Sequence, residues 1–220
     1  QQIVENDMLT TINAPHQGEI IVGGVPWHFS KTTANIDTRV SVPGEHTKQL
    51  IREGFGYSKK PEIQSDQSRV AVPPLQGLRV IDTTQGFAGP YLGLLLAEAG
   101  AEVIKIEPPE GDWARQLAPQ VQSGNSAVYD AFNRNKKCRT LDLDSLQGQS
   151  ELRALLCDAA VFLEDWAPGT AQARGLDYGS LVQENPGLIY HALTPFGENG
   201  PMRNRPGSEL VVQAMTGYLR

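Results

Sequence analysis

Short apolar runs alternate along the chain with stretches whose apolar residues recur at helical spacing, most clearly between Leu75 and Glu107. Leu78–Thr83 places Leu, Val and Ile close together, which suits a buried strand. Gln85-Gly86-Phe87-Ala88-Gly89 follows as a tight glycine turn. Pro90 fits the first turn of a helix, where a missing N–H costs nothing. Leu92, Leu94, Leu95, Leu96 and Ala97 make that helix apolar on most sides, so it is expected to be buried. Gly100 is a natural stop because glycine accepts the left-handed C-cap. Val103, Ile104 and Ile106 then form a second strand. Such a strand–turn–helix–strand unit implies a right-handed crossover between parallel strands.

The alternation continues. Trp113–Ser123 reads as a loop or short helix, and Ser126–Phe132 as a helix with Ser126 near its cap. Arg139–Leu143 is an expected strand. Leu146–Leu156 is amphipathic, with Leu146, Leu152, Leu155 and Leu156 at helical spacing. Ala160–Leu163 and Leu188–Leu193 are expected strands, and Tyr178–Glu184 and Glu209–Tyr218 helices. Upstream, Glu19–Val22 is a candidate strand, and Pro43-Gly44-Glu45-His46-Thr47 caps a helix over Lys48–Glu53 closed by Gly54. Residues 59–74 are polar and then proline-bounded, as a linker would be. The pattern predicts an α/β, Rossmann-like fold with a mostly parallel sheet and helices on both faces.

Composition narrows the classes. The 220 residues suffice for one large domain, and 40% hydrophobic residues can build a normal core. A net charge of −6 argues against nucleic acid as the main partner. The only cysteines, Cys138 and Cys157, sit in apolar or strand-like surroundings and are expected to be reduced and buried. Neither a disulfide framework nor a metal site is suggested. With no apolar run near ~20 residues, no membrane span is expected and the protein reads as soluble and cytoplasmic.

A glycine turn that feeds a helix offers backbone N–H groups to an anion such as a pyrophosphate. Gly86, Gly89 and Gly93 give GxxGxxxG, however, and not the dinucleotide fingerprint GxGxxG. Glu107 stands where a ribose-binding acid would sit in a Rossmann protein, which keeps a nicotinamide-dependent oxidoreductase as one alternative. The other is that the glycines serve only the turn and close helix packing. Arg134, Lys136, Lys137 and Arg139 form a basic run, which reads first as a solvated face. His28, His46 and His191 lack an evident carboxylate or nucleophile partner and read as structural.

Six segments taken together resemble the family III CoA-transferases, the CaiB/BaiF family. They are Asp82-x-Thr84-x-x-x-Ala88-Gly89-Pro90 with Gly100–Glu107; Asn133-Arg134-Asn135-Lys136 with Leu141-Asp142-Leu143; and Leu163–Gly169. Asn185–Tyr190, Phe196–Pro201 and Arg205–Glu209 complete the set in family order. The resemblance covers most of residues 75–220. Residues 1–64 resemble the C-terminal tail of the same family, through Gly24–Ser30, Gly44-Glu45-His46-Thr47 and Gly56-Tyr57-Ser58. The order is therefore tail first and head second. It implies a tail of a preceding module over 1–64, a linker over 65–74, and the CoA-binding start of a second module over 75–220. A circular permutation is the rival arrangement.

The resemblance implies coenzyme A as ligand, with no metal, and acyl-CoA and a small carboxylic acid as reaction partners. It implies contacts to CoA from Gln85, Gly86, Phe87 and Ala88 in the turn, and an adenine site at the strand end near Leu141. Asp165 and Trp166 replace an Asn–Phe pair that lines the CoA channel; Trp can still form a wall, whereas Asp removes donors and adds charge. Arg174 resembles an arginine that reaches the CoA phosphates. Where some members carry a basic residue, this chain has Pro108. Glu209 matches an acidic residue that supports catalysis. The family's nucleophile is an aspartate beyond the Arg205-Pro206-Gly207 motif and past Arg220. It attacks the thioester to give a mixed anhydride, then an aspartyl-CoA thioester. Racemases of the family carry a histidine where this chain has Ser208, a poor base for an α-proton. The implied activity is an acyl-CoA:carboxylate CoA-transferase acting as a homodimer or tandem pseudo-dimer. The alternatives are the oxidoreductase above and a non-catalytic CoA-binding module.

Overall fold

The computed structural model describes residues 2–14, 18–25, 39–53, 72–120 and 126–218. Pro26–Ser30 with His28, the Gly54 helix stop, the Gly56-Tyr57-Ser58 ending and residues 59–71 of the expected linker lie outside the described residues. The chain divides into two units, residues 1–70 with 198–202 and residues 71–197 with 203–220.

The first unit holds α1 (Gln2–Glu5), β1 (Leu9–Ala14), β2 (Gly18–Gly23) and α2 (Thr47–Glu53). β1 and β2 pair antiparallel, from Leu9 opposite Gly23 to Ala14 opposite Gly18. β2 and α2 match the expected elements to within a residue at most bounds. α1 and β1 were not expected, because one turn of helix has no period to read and the apolar Leu9, Ile12 and Ala14 of β1 do not alternate regularly. The Asn6 amide donates to the carbonyls of Gln2 and Asn199, at 2.9 and 3.0 Å, and so ties the helix to residues 198–202 of the same unit.

The second unit is built on a parallel sheet of β3 (Arg79–Asp82), β4 (Glu102–Glu107), β5 (Lys137–Thr140), β6 (Val161–Glu164) and β7 (Ile189–Ala192). Its helices are α3 (Ala88–Glu98), α4 (Ala127–Asn133), α5 (Leu146–Leu156), α6 (Thr170–Ala173), α7 (Tyr178–Leu181) and α8 (Glu209–Met215), with a 3₁₀ turn at Trp113–Gln116. The strand order is β5-β4-β3-β6-β7. The chain thus winds outward in one direction from β3 and in the other from β6, and their carboxyl ends form the switch point where open α/β sheets bind ligands.

Neighbouring strand residues feed different cores, as a period of two requires. Val80 joins Ala97, Ala101, Val103 and Leu163 on one side. Ile81 joins Ile106, Leu152, Leu156, Phe162 and Leu181 on the other. The sheet is therefore flanked by helices on both faces, as its sequence pattern implies. Ser126 caps α4 through the Val128 N–H, and Ser145 caps α5 through the Gly148 N–H.

Several expectations need correction. β5 begins two residues earlier than expected and all its residues are exposed, because it is an edge strand paired only to β4. Leu141 follows the strand and is the residue that turns into the core. α3 is not buried all round: it buries Gly89, Pro90, Gly93, Leu94 and Ala97, while Tyr91 and Leu95 are exposed. Both cysteines are exposed residues, Cys138 on the edge strand and Cys157 at the end of α5. α6 was missed; Gly169, left-handed at φ 86°, starts it.

Candidate functional site

The floor of the switch point is a set of buried charges arranged around the glycine turn. Asp82, the last residue of β3, accepts from the Thr84 N–H at 3.0 Å and from its hydroxyl at 2.5 Å. Its other oxygen takes Lys136 Nζ at 2.9 Å, and Lys136 also donates to the Pro90 carbonyl and to Asn133. Burial pushes the Lys136 ammonium down from its ordinary range, opposed by Asp82. Lys105 Nζ meets Asp112 at 2.8 Å with both side chains fully buried, and donates to the Thr84 carbonyl. Asp112 accepts from the Gly86 N–H at 3.1 Å and from the Ala114 N–H at 2.9 Å. Asp165 accepts from the Gln85 N–H at 2.9 Å. The Thr84, Gln85 and Gly86 N–H groups are thus each held by a carboxylate of the protein.

This explains the GxxGxxxG spacing. Gly86 has φ +78°, a conformation that side chains disfavour, and a Cβ there would lie 2.1 Å from the Trp113 ring. A Cβ on Gly93 would stand 2.6 Å from Asp82 Oδ2 and 3.0 Å from Lys136 Nζ. The glycines make room for a turn and for a buried ion pair.

Glu107 is likewise spent. It accepts from Arg115 at 2.7 and 2.8 Å, from the Tyr129 hydroxyl at 2.5 Å, from the Asp112 N–H at 2.9 Å and from Cys138 Sγ at 3.1 Å. Burial alone would raise this carboxyl, but those donors outweigh it and hold it at about 2. A ribose-binding role would have to break this cluster, so the structure gives no support to the dinucleotide alternative.

Above the floor an open cleft of about 490 Å³ crosses the carboxyl ends of the central strands. Thr83 and Gln85 follow β3, Ile106 and Pro108–Glu110 end or follow β4, and Asp142–Asp144 lie beyond β5. Trp166 and Ala167 follow β6, while Thr170 and Arg174 come from α6 and its end. Trp166 packs edge-to-face on Phe162, with ring centroids 5.8 Å apart. The Trp166 backbone N–H donates to Glu164 at 2.7 Å, and Glu164 also accepts from the Tyr190 hydroxyl at 3.0 Å. The Arg174 guanidinium lies over the Trp166 ring, 5.1 Å from its centroid. An aromatic wall with a cation stacked on it suits a ligand that joins a ring or chain to phosphate. Among the described residues, Arg174 is the only Lys or Arg on this lining.

The structure brings together Gln85, Trp166 and Arg174 on this cleft. Leu141 is buried in the core beneath it, and Asp142 and Leu143 line it instead. Phe87 is 41% exposed and stacks edge-to-face with Trp113 and Phe132, at 5.5 and 6.0 Å. Gly86 and Ala88 belong to the turn and to the start of α3. Asp165 turns down to the Gln85 N–H, and burial raises its carboxyl to about 6. Glu209 opens α8, and its side chain lies outside the described residues; Ser208 caps that helix through the Val211 N–H. Within the basic run, Arg134, Lys137 and Arg139 pair with Glu98, Glu102 and Glu151 at the surface. Lys136 departs from the expected solvated face and is buried. Asn135, at φ 64°, makes the turn that aims it inward. Lys105 and Asp112 were missed, although a lysine between Ile104 and Ile106 in a buried strand is itself a signal that a partner acid is near.

Residues 75–220 are similar to known proteins. A model of CoA-transferase family III matches residues 75–220. A probable fatty acyl-CoA transferase of Mycobacterium tuberculosis, Rv3272, is 45% identical over 147 residues, covering 66% of this chain and 37% of that protein. The human succinyl-CoA:glutarate CoA-transferase is 34% identical over 157 residues, covering 71% of this chain and 35% of the relative. The chain therefore spans little more than a third of the length of these relatives. The crystal structure of a CAIB/BAIF family protein from Brucella suis superposes with a TM-score of 0.63 at 39% identity, covering 67% of this chain and 40% of that one. Residues 75–220 thus carry both the motifs and the fold that the match requires, and the chain belongs to the family III CoA-transferases.

Proposed function

We propose that this chain is the CoA-binding α/β portion of an acyl-CoA:carboxylate CoA-transferase. The observation that carries the reading is the Trp166–Arg174 wall of the cleft at the sheet's switch point, in a chain of this family. Arg174 takes a phosphoryl group of coenzyme A, since a guanidinium offers a planar fork to phosphate oxygens. Trp166 walls the channel. The adenine lies near the strand end after Leu141, and the turn Gln85–Ala88 borders the rest of the ligand. Glu209 supports a nucleophilic aspartate that these 220 residues do not contain. The aspartate attacks the thioester carbonyl and releases CoA as thiolate; CoA then attacks the anhydride and frees the first acid. The acceptor carboxylate attacks the resulting aspartyl-CoA thioester and releases CoA thiolate, which attacks the acceptor's carbonyl in the new anhydride to give the product thioester and restore the aspartate. Relatives are named for glutarate, D-citramalate and L-malate as partners of succinyl-CoA, which supports a small carboxylic acid as acceptor.

The proposed organisation keeps a tail of a preceding module at 1–64, a linker at 65–74 and a second module from 75, in a cytoplasmic homodimer or tandem pseudo-dimer. Titration calorimetry of the 220-residue protein with CoA and, separately, NAD tests the ligand. Saturable CoA binding with no NAD binding is the expected result. NAD binding, or no CoA binding, overturns the proposal. The intact mass of the protein from its source cells tests the organisation: a mass of about two modules is expected, and 24.0 kDa would exclude it.

A further inference from the structure

Arg174 already holds an anion. Its Nη2 donates to Asp144 Oδ1 at 2.6 Å, across 30 residues of sequence, and both residues line the cleft. The two partners are held very differently. The Arg174 side chain is 20% exposed and packs over the Trp166 ring, so its position is set by the wall. The Asp144 side chain is 87% exposed, and it lies just before Ser145, the cap of α5. It can turn out to water without disturbing the core.

We propose that Asp144 occupies, in the ligand-free protein, the seat of a ligand phosphoryl group on Arg174, and that it lowers the affinity for that ligand by competing for the guanidinium. The inference rests on the proposed CoA binding. A phosphoryl group gains charge-assisted bonds to arginine that an exposed carboxylate pair does not match. The exchange therefore favours the ligand. It still costs the pair that opens, and it leaves the Asp144 charge close to the phosphate. Glu110 and Asp142 line the same cleft and add to that repulsion. Asp144 is thus a specificity-determining residue: it favours ligands with enough phosphate charge to displace it over singly charged acids.

The test is calorimetric titration of the 220-residue protein with CoA, using wild type, Asp144→Asn, Arg174→Ala and the double variant. Inorganic pyrophosphate is titrated in parallel. Asp144→Asn is expected to tighten CoA binding about two- to five-fold at low salt. The gain should shrink as salt is raised, because exposed charges are screened. In the Arg174→Ala background the same substitution should gain clearly less. Asp144→Asn binding CoA no tighter than wild type, or gaining equally without Arg174, overturns the inference while leaving CoA binding intact. Absence of CoA binding sinks the CoA reading alone. Pyrophosphate then decides the seat: tighter binding by Asp144→Asn upholds it, and unchanged binding overturns it.

Discussion

The buried floor under the glycine turn and the wall of the cleft both carry charged side chains, yet they obey opposite physics. Under the glycine turn, Asp82–Lys136 and Lys105–Asp112 are buried, and their other hydrogen bonds go to backbone groups and to the side chains of Thr84 and Asn133. Such pairs cannot exchange partners without leaving a charge in a low-dielectric interior. On the wall, Arg174 faces an exposed Asp144. That pair is worth little in water and can be traded for a ligand. Charge that is enclosed fixes a backbone, whereas charge at a water boundary can recognise something. Counting ionisable residues in the cleft would not separate the two; their burial does.

Breaking the floor should have the largest effect. Lys136→Met leaves Asp82 buried without its cation and is expected to cost about 3–5 kcal/mol, read as a lower midpoint in urea. A loss below about 1 kcal/mol would place the pair with the exchangeable charges of the wall. Gly93→Ala drives a methyl against Asp82 and Lys136 and should cost about 1–3 kcal/mol in the same assay. A neutral result would mean the floor can yield.

Asp165 lies between the two regimes, and pH sharpens the distinction. Its carboxyl is raised by burial from 3.8 to about 6 in the fold, against the opposing Gln85 N–H. The folded state therefore binds the proton more tightly than the unfolded state does. The stabilisation this gives is full below the unfolded value of 3.8 and is lost as pH rises through about 6. Asp165→Asn should remove that slope, worth up to about 3 kcal/mol, in melts taken across this range. Glu107 runs the other way, from 4.5 down to about 2. Its stabilisation is present above 4.5 and is lost as pH falls toward 2, so Glu107→Gln should flatten the acid limb of the same curve. The smallest effect on stability belongs to the wall. Arg174→Ala should change the folding free energy by about 0.5 kcal/mol or less, yet weaken CoA binding about tenfold by titration. A large loss of stability would make Arg174 part of the scaffold.

Much of the scaffold was legible. The apolar run at Leu78–Thr83, the glycine turn and Val103–Ile106 have strong periods and hard stops, and β3, α3 and β4 follow them closely. The serine before α4 and the leucine stripe of α5 were equally readable. Edge strand β5 was misplaced because an exposed strand has no buried face to set its period. α3 was expected to be buried because it is apolar on most sides, but leucine content alone does not tell which neighbours arrive; among the described residues none covers Leu95. In the site, Trp166 and Arg174 were reached through motif resemblance, and their meeting joins residues from β6's end and α6's end. Asp144 was passed over because a surface acid near a helix start has an ordinary local explanation in the helix dipole.

Sequence by itself determined the α/β alternation, the glycine turn and family membership, since these depend on short-range periods, caps and motif order. Tertiary structure alone decided which charges are scaffold and which face the cleft. Lys105 and Arg174 are both cations near carboxylates, but one is closed in by the sheet and the other stands at its open end. Burial is a property of the assembled chain. The dielectric that governs whether an ion pair is fixed or exchangeable exists only once distant segments have closed around it.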